Sequence, residues 1–412
     1  MRRSRILLLI GILLAATFAV QAKSVYQEQD STVMQSKTIY DPTNYSQVKV
    51  NLERASRKTF WQRVVDFMRT PIIKNNPDGK FQLTGSVGAG YMRETGVMLS
   101  AKALGLYDKQ ITGPLDMPSN VSLAANVSVT GFYAISLAGN NYFTEGRNRL
   151  SYGVDLTSLP IRFWGLGFEA ADMNPRTKYT KKYHQAKVRY MRHVAGDFWV
   201  GANLDFRYGY GGDFNSIGLE YLLQGGQARR SATSAGVGIV AEYDSRNSRI
   251  NTTRGIYLSL LTEMRPELLS DIDKDLWHIT AVANIFQPVW QGGVVAVDLY
   301  GDLWSSATPW VFWPAVGGDF RMRGYYYGRY TDRKMLSAQV ELRQKIYGPL
   351  SCSVWGGAAS LFSSHKLFDF SELLPNGGLG LRLDLGKSSR LRIDYGFGRK
   401  SNELIISINE AF

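Results

Sequence analysis

The sequence predicts an all-β fold: a transmembrane antiparallel barrel of about sixteen strands behind a short N-terminal segment with one amphipathic helix. Three observations carry this expectation. The chain opens on an export leader. From Phe81 to the end, apolar and polar residues alternate with a period of two. No apolar run after Val20 approaches the 18 residues of a spanning helix, although the chain is 12% aromatic and holds 41 glycines.

The leader comes first. Arg2, Arg3 and Arg5 precede an almost unbroken apolar run from Ile6 to Val20, and Val20-Gln21-Ala22 places small residues where a signal peptidase cuts. Residues 1–22 are therefore expected to be a signal peptide, with the mature chain starting at Lys23. The run is about 15 residues, short of the roughly 20 that a membrane anchor needs. No Cys follows it, so a lipid anchor is not expected. Cys352 is the sole cysteine, which excludes an internal disulfide and any cysteine-based metal cluster.

Formal charge is +13, or +10 once the three leader arginines are set aside. A basic balance raises nucleic acid as a partner, but export argues against it. Outer-membrane lipids and the phosphates of lipopolysaccharide are the expected counter-charges, beside a merely solvated surface.

Residues 23–80 form a separate, expected periplasmic segment. Leu52, Ala55, Phe60, Val64 and Phe67/Met68 make an apolar stripe between Arg and Lys residues, which predicts a helix over 52–69 that Pro71 ends. Such a helix lies at the membrane interface, plugs a barrel mouth or packs on its rim.

Residues 81–412 then read as the barrel. Phe81, Leu83, Val87, Ala89 and Tyr91 alternate with Gln82, Thr84, Ser86 and Gly88. The same pattern returns from Val121 to Val129 and in later runs. The strands are expected near 81–93, 95–107, 119–131, 133–140, 147–158, 180–194, 197–210, 233–244, 254–264, 276–288, 295–306, 334–346, 350–360, 374–385, 389–398 and 403–412. Short connections (Ala195-Gly196, Gly348-Pro349, Gly386 to Ser388) contrast with long ones (Gly211 to Ser231, Thr308 to Arg333), as periplasmic turns contrast with outward loops.

Enzyme signatures are absent. There is no G-x-S-x-G elbow, and Gly85, Gly88 and Gly90 lie within a strand rather than in a dinucleotide loop. His184, His193, His278 and His365 are scattered. Asp271-Ile-Asp273-Lys-Asp275 begins like a calcium loop but has Leu276 at the sixth position and Val282 at the twelfth. No reaction and no cofactor are expected.

The informative motifs lie near the C-terminus. Gly317-Gly-Asp-Phe-Arg-Met-Arg-Gly-Tyr325 is followed by Asp332-Arg-Lys-Met-Leu-Ser-Ala-Gln-Val-Glu-Leu-Arg343. Then come Leu374-Pro-Asn-Gly-Gly-Leu-Gly-Leu-Arg382, Leu391-Arg-Ile-Asp-Tyr-Gly-Phe-Gly398 and the terminal Ile408-Asn-Glu-Ala-Phe412. Together with Asp244-Ser-Arg246 and Thr253-Arg-Gly255, these resemble the barrel of the BamA/TamA-like outer-membrane assembly and surface-antigen superfamily. The resemblance covers the whole barrel in strand number and about 150 residues in motif.

The resemblance implies that Met322-Arg323-Gly324-Tyr325 is the tip of a long sixth loop that folds into the lumen. Alternation along 335–343 places Ser337, Gln339, Glu341 and Arg343 on the lumen side, with Leu336, Ala338, Val340 and Leu342 toward lipid. Glu341 is thus the expected bidentate partner of Arg323. Where the family carries an aromatic-x-Asp-x-Gly pattern on the next strand, this chain reads Trp355-Gly-Gly357-Ala-Ala359. Asp319, Asp384 and Asp394 remain candidates for the missing acid.

Phe412, with Leu404, Ile406 and Ile408 on its face, resembles the C-terminal signal by which such barrels are recognised for assembly; Glu410 fits that face poorly. The resemblance further implies a weak seam between the first and last strands. Residues 23–80 are too few for a polypeptide-transport-associated domain, so a barrel-only member is expected. It would assist insertion or translocation of outer-membrane proteins or lipids alongside other envelope assembly proteins. A passive pore and a structural subunit, including a homo-oligomer, remain the alternatives.

Overall fold

The computed structural model describes residues 81–412 apart from 114–116, 144–145, 249–250, 364–369, 385–389 and 409. The expected signal peptide, the segment 23–80 with its 52–69 helix, and the turn at 386–388 lie outside the described residues.

Sixteen strands form one closed antiparallel sheet in chain order. They are β1 (Phe81–Met92), β2 (Gly96–Gly113), β3 (Met117–Ser128), β4 (Tyr133–Phe143), β5 (Asn148–Phe163), β6 (Thr177–Ala195), β7 (Phe198–Gly212) and β8 (Ser231–Asp244). The second half comprises β9 (Gly255–Arg265), β10 (Leu276–Trp290), β11 (Gly293–Trp304), β12 (Lys334–Tyr347), β13 (Leu350–Phe362), β14 (Leu374–Asp384), β15 (Arg390–Gly398) and β16 (Ser401–Ile408). The last strand comes round to the first, and such closure is what allows a sheet to sit in hydrocarbon.

Alternation decides what each strand shows to either side. On β12, Met335, Ser337, Gln339, Glu341 and Arg343 are buried inward, while Ala338 and Val340 are exposed outward. Leu99, Leu137, Leu204, Ile239, Val340 and Leu379 belong to the same exposed apolar belt. In water such a belt would be an aggregation surface; against acyl chains it costs nothing. Trp277 and Trp290, each about half exposed, mark the two ends of β10. Thirteen residues apart on a strand tilted by roughly 40°, they are separated by about 34 Å along the barrel axis, enough to bracket an outward apolar band about 25 Å tall.

The strands lie near the expected positions, although β2 runs on to Gly113 and β16 ends at Ile408 rather than 412; the extension of β5 and β6 is the informative difference. β5 and β6 run past their expected limits and stay paired up to Phe163 and Thr177, whereas β4 stops pairing with β5 at Ser158. The β5–β6 hairpin therefore stands above its neighbour. Pro160 is tolerated there because no β4 partner awaits its missing N–H.

Connections at one end are tight, as at residues 196–197, 291–292 and 348–349. At the other end they are long. Residues 164–176 contain helix α1 (Phe168–Met173), residues 213–230 contain helix α2 (Ser216–Gln224), and the sixth loop runs over residues 305–333. Asn215 starts α2 by accepting a hydrogen bond from the Gly218 N–H at 2.8 Å.

These long loops share a hydrophobic core of their own. Phe163, Trp164, Leu222, Trp304, Trp310 and Trp313 lie in one buried cluster over the barrel mouth. Burial of so many aromatics gives the loop end a fixed dome, since each ring contributes on the order of 2 kcal/mol once removed from water.

Candidate functional site: the sixth loop and the β1–β16 seam

The sixth loop divides its work. Its first part, Trp310–Trp313, packs into the dome. Its second part narrows into a hairpin, with Ala315 bridged to Thr331 and the Val316 N–H donating to the Tyr330 carbonyl at 2.9 Å. The hairpin tip, Arg321–Tyr326, descends against the inner wall of β12–β15.

Gly324 sets how closely the tip approaches that wall. Its φ is +106°, a conformation closed to ordinary L residues, and a Cβ there would stand 2.6 Å from the Phe397 amide nitrogen. Facing it, a Cβ on Gly396 would stand 2.7 Å from the Gly324 nitrogen. Two glycines on opposite sides thus permit backbone-to-backbone contact between loop and β15.

That contact delivers Arg323, which has no exposed surface, into an ionic cluster. Its Nη2 donates to Glu341 and its Nη1 donates to Asp394 at 2.8 Å. The guanidinium carbon lies over Trp355, 3.8 Å from the ring centre. Asn376 secures the backbone by donating to the Arg323 carbonyl at 3.0 Å. The expected bidentate fork on Glu341 alone is therefore corrected: the guanidinium is split between carboxylates on β12 and β15. A fork with two edges and one aromatic face suits such a three-sided pocket, whereas a point-charge ammonium would not.

Of the three acids left open by the missing family aspartate, Asp394 reaches the loop arginine. Asp319 instead faces Ser407 and Arg392, at 3.0 Å and 3.8 Å, and Asp384 pairs with Arg390 at 2.6 Å. Trp355 supplies the aromatic of the family pattern, while the acid has moved two strands along.

The cluster extends down the lumen. Arg343 donates to Glu341 at 2.9 Å, Arg382 to Asp394 at 2.5 Å and Arg392 to Asp394 at 2.9 Å. Removing one partner from such a buried set leaves an uncompensated charge, which costs about 3–5 kcal/mol.

Met322 and Tyr325, either side of Arg323 and Gly324, are fully buried. Met322 sits with Ala171, Met335 and Leu361. The Tyr325 hydroxyl donates to the Pro375 carbonyl at 2.6 Å and accepts from the Arg399 N–H at 2.9 Å. Asp172 in α1 clamps the β15–β16 turn, accepting from Arg399 at 3.1 Å and Lys400 at 2.9 Å. Those two cations hold its carboxyl far below the usual range.

Sheet closure is thinnest at β1–β16. These strands register at a single residue pair, Tyr91 with Ile406. β1 and β2, in contrast, register continuously from Phe81–Tyr107 to Met92–Gly96. The sixth loop touches both sides of this seam. The Tyr326 N–H donates to Ser401 Oγ at 3.2 Å, and the Tyr327 N–H donates to Glu94 Oε1 in the β1–β2 turn.

At the C-terminus, Leu404, Ile406 and Ile408 alternate with the buried Glu403 and Ile405, and Ile408 is exposed outward. Phe412 departs from their face. Its ring turns inward to Phe286, with centroids 6.5 Å apart, beneath the Arg343 guanidinium. Glu410, awkward on a lipid face, is buried between Arg382 at 3.0 Å and Arg390 at 2.6 Å. The reason is that β16 ends at Ile408, so period-two parity stops applying and the tail follows the charges.

Sequence reasoning missed the Trp355 stacking, the loop dome and the facing carboxyls of Glu94 and Glu403. The Trp310-Val-Phe-Trp313 run was a readable signal for the dome, since four large apolar residues do not belong in a solvated loop.

A family model described as the Omp85 superfamily domain matches residues 117–405. Among solved structures, the chain is similar to BamA from Haemophilus ducreyi lacking POTRA domains 1–3, at 14% identity and TM-score 0.53. That match covers 88% of this chain and 78% of the other. It is also similar to CdiB from Escherichia coli (12% identity, TM-score 0.55) and from Acinetobacter baumannii (12%, TM-score 0.50). Those matches cover 81% and 80% of this chain but 64% and 59% of the respective CdiB chains. At these identities the likeness is one of fold. The comparison with curated proteins finds no match.

Proposed function

We infer that this chain, which belongs to the Omp85 superfamily, assists the insertion or translocation of outer-membrane proteins or lipids through its β1–β16 seam. The observation that carries the reading is the seam itself. One registered pair, Tyr91 with Ile406, closes a sheet whose other neighbours pair along their length. Backbone groups of β1 and β16 are thereby left for an incoming strand, because unpaired ladder groups in a bilayer favour any edge that satisfies them.

The sixth loop then acts as the strut. Met322, Arg323, Gly324 and Tyr325 hold it to β12–β15 through Glu341, while Tyr326 and Tyr327 touch both seam edges. With the short turns facing the periplasm, the dome faces outward. Leu404, Ile406, Ile408 and Phe412 would serve as the recognition signal before folding, when the tail is still extended. Lipopolysaccharide and other envelope assembly proteins are the partners this reading requires.

The test is reconstitution. The protein, carrying Cys352→Ser with Tyr91→Cys and Ile406→Cys, is placed in proteoliposomes with an unfolded barrel client. Client folding is followed by protease protection. Folding that is accelerated by the reduced form and not by the disulfide form supports the reading. Equal acceleration by both forms sinks the seam. Conductance with no acceleration in either form assigns the chain to the passive pores.

A further inference from the structure

Two carboxyls meet across the seam where an ion pair would be ordinary. Glu94, in the turn between β1 and β2, and Glu403, near the start of β16, are only 4% and 2% exposed. Glu403 reaches into the β1–β2 turn, where the Arg93 N–H beside Glu94 meets it, and the two carboxyls are near enough to interact. Each keeps one oxygen, Oε2, without a donor from the described residues. Their other oxygens are occupied: Glu94 Oε1 accepts from the Tyr327 N–H, and Glu403 Oε1 accepts from the Arg93 N–H at 3.4 Å. Two buried carboxylates in contact cannot both be charged, whereas a single shared proton satisfies both.

Arg93 and Arg162 are near enough to favour a charged carboxylate, but their guanidiniums make their contacts with other groups. The Arg93 guanidinium donates to the Asn402 carbonyl at 3.0 Å and lies over Tyr326. Arg162 also lies over Tyr326, and Lys181 over Tyr327. Arg176 stands near Arg162, and Arg399 and Lys400 are held by Asp172. The remaining neighbours from the sixth loop are the two phenols.

We propose that Glu94 and Glu403 share a proton that latches the β1–β16 seam, so that the seam loosens as pH rises. The proposal rests on the reading that this seam is where the barrel opens. Burial pushes the Glu94 carboxyl upward. Once the strands part, both carboxyls regain water and an ordinary pKa of about 4.3. Closure therefore takes up a proton. A carboxyl raised in the closed state stabilises it fully below the ordinary value, and the stabilisation is lost as pH climbs through the raised value. Across that window the open-to-closed ratio rises by up to about tenfold per pH unit. The loop is coupled to the latch, because Tyr327 donates to the same Glu94.

The experiment places nitroxide labels at Val87 and Ile408, lipid-facing positions on β1 and β16, in the Cys352→Ser protein. Pulsed dipolar spectroscopy then reads the inter-label distance in bilayers from about pH 5 to about pH 9. The expected result is a second, longer distance that grows with pH. In Glu403→Gln, where a neutral amide donates to Glu94 without titrating, the short distance persists at every pH. Glu94→Gln provides the reciprocal control, should the first variant fold poorly. A distance that widens with pH equally in both variants overturns the latch, and so does a distance in the parent that never responds to pH. Neither outcome touches the seam reading, which the disulfide-locked folding assay judges at one fixed pH.

Discussion

Arg323 lies over Trp355 with its guanidinium carbon 3.8 Å from the ring centre, while its two Nη atoms reach Glu341 and Asp394. This places one loop side chain in contact with three strands, β12, β13 and β15. A loop held on three sides has little freedom left to lose, so the sixth loop behaves as part of the barrel wall.

Arg323→Ala should lower the stability of the loop-wall contact by about 3–5 kcal/mol, the cost of leaving buried charges without their partner. In heat-modifiability gels the barrel then unfolds at lower temperature, and trypsin reaches Arg321 and Arg329 in the folded protein. Arg323→Lys should recover little, because an ammonium cannot bridge two carboxylates and stack on an indole together. A lysine variant indistinguishable from the parent would remove the fork from the account.

Gly324→Ala should push the tip off β15 by two routes. The methyl has no room beside the Phe397 nitrogen, and φ of +106° is strained for any residue with a Cβ, at a cost on the order of 1–3 kcal/mol. Hydrogen exchange is the direct readout. The amides of Tyr326 and Tyr327, which donate to Ser401 and Glu94, should lose protection while those of β12 keep theirs. Unchanged protection would show that the loop does not depend on this approach.

The C-terminal tail should release in acid. Burial alone would raise the Glu410 carboxyl, but the guanidiniums of Arg343 and Arg382 outweigh it and hold it at about 2. A depressed carboxylate stabilises the docked state fully above its ordinary value of about 4.3 and loses that stabilisation as pH falls through the depressed one. Tail protection, measured by hydrogen exchange at 410–412, should therefore be flat from neutral pH down to about pH 5 and collapse toward about pH 2. Glu410→Gln should weaken it at neutral pH and abolish the acid-dependent loss. The response is opposite in sign to that of the Glu94–Glu403 latch, so the two can be read apart in one titration.

Much of the barrel was legible before folding was considered. Sixteen strands could be counted because a membrane strand must alternate, and Ser337 to Arg343 declared their faces by parity alone. Glu341 followed from the same parity, since an inward acid beside a lumen loop has few other partners. Asp394 could only be kept among three acids. Choosing it required knowing that β12 and β15, three positions apart in the wall, curve toward one point. Phe412 shows where parity fails: past Ile408 there is no strand, and the tail turns to Arg343, Arg382 and Arg390 instead.

The sequence by itself determined that the chain alternates for a bilayer, how many times it crosses, and which long loop carries the Arg323-Gly324 pair. These are local properties, written in neighbouring residues. The tertiary structure alone decided that closure rests on Tyr91 and Ile406, that Arg323 divides itself between Glu341 and Asp394, and that Glu94 meets Glu403 from more than three hundred residues away. Closing a barrel joins the two ends of the chain, and no local pattern records what will then face what.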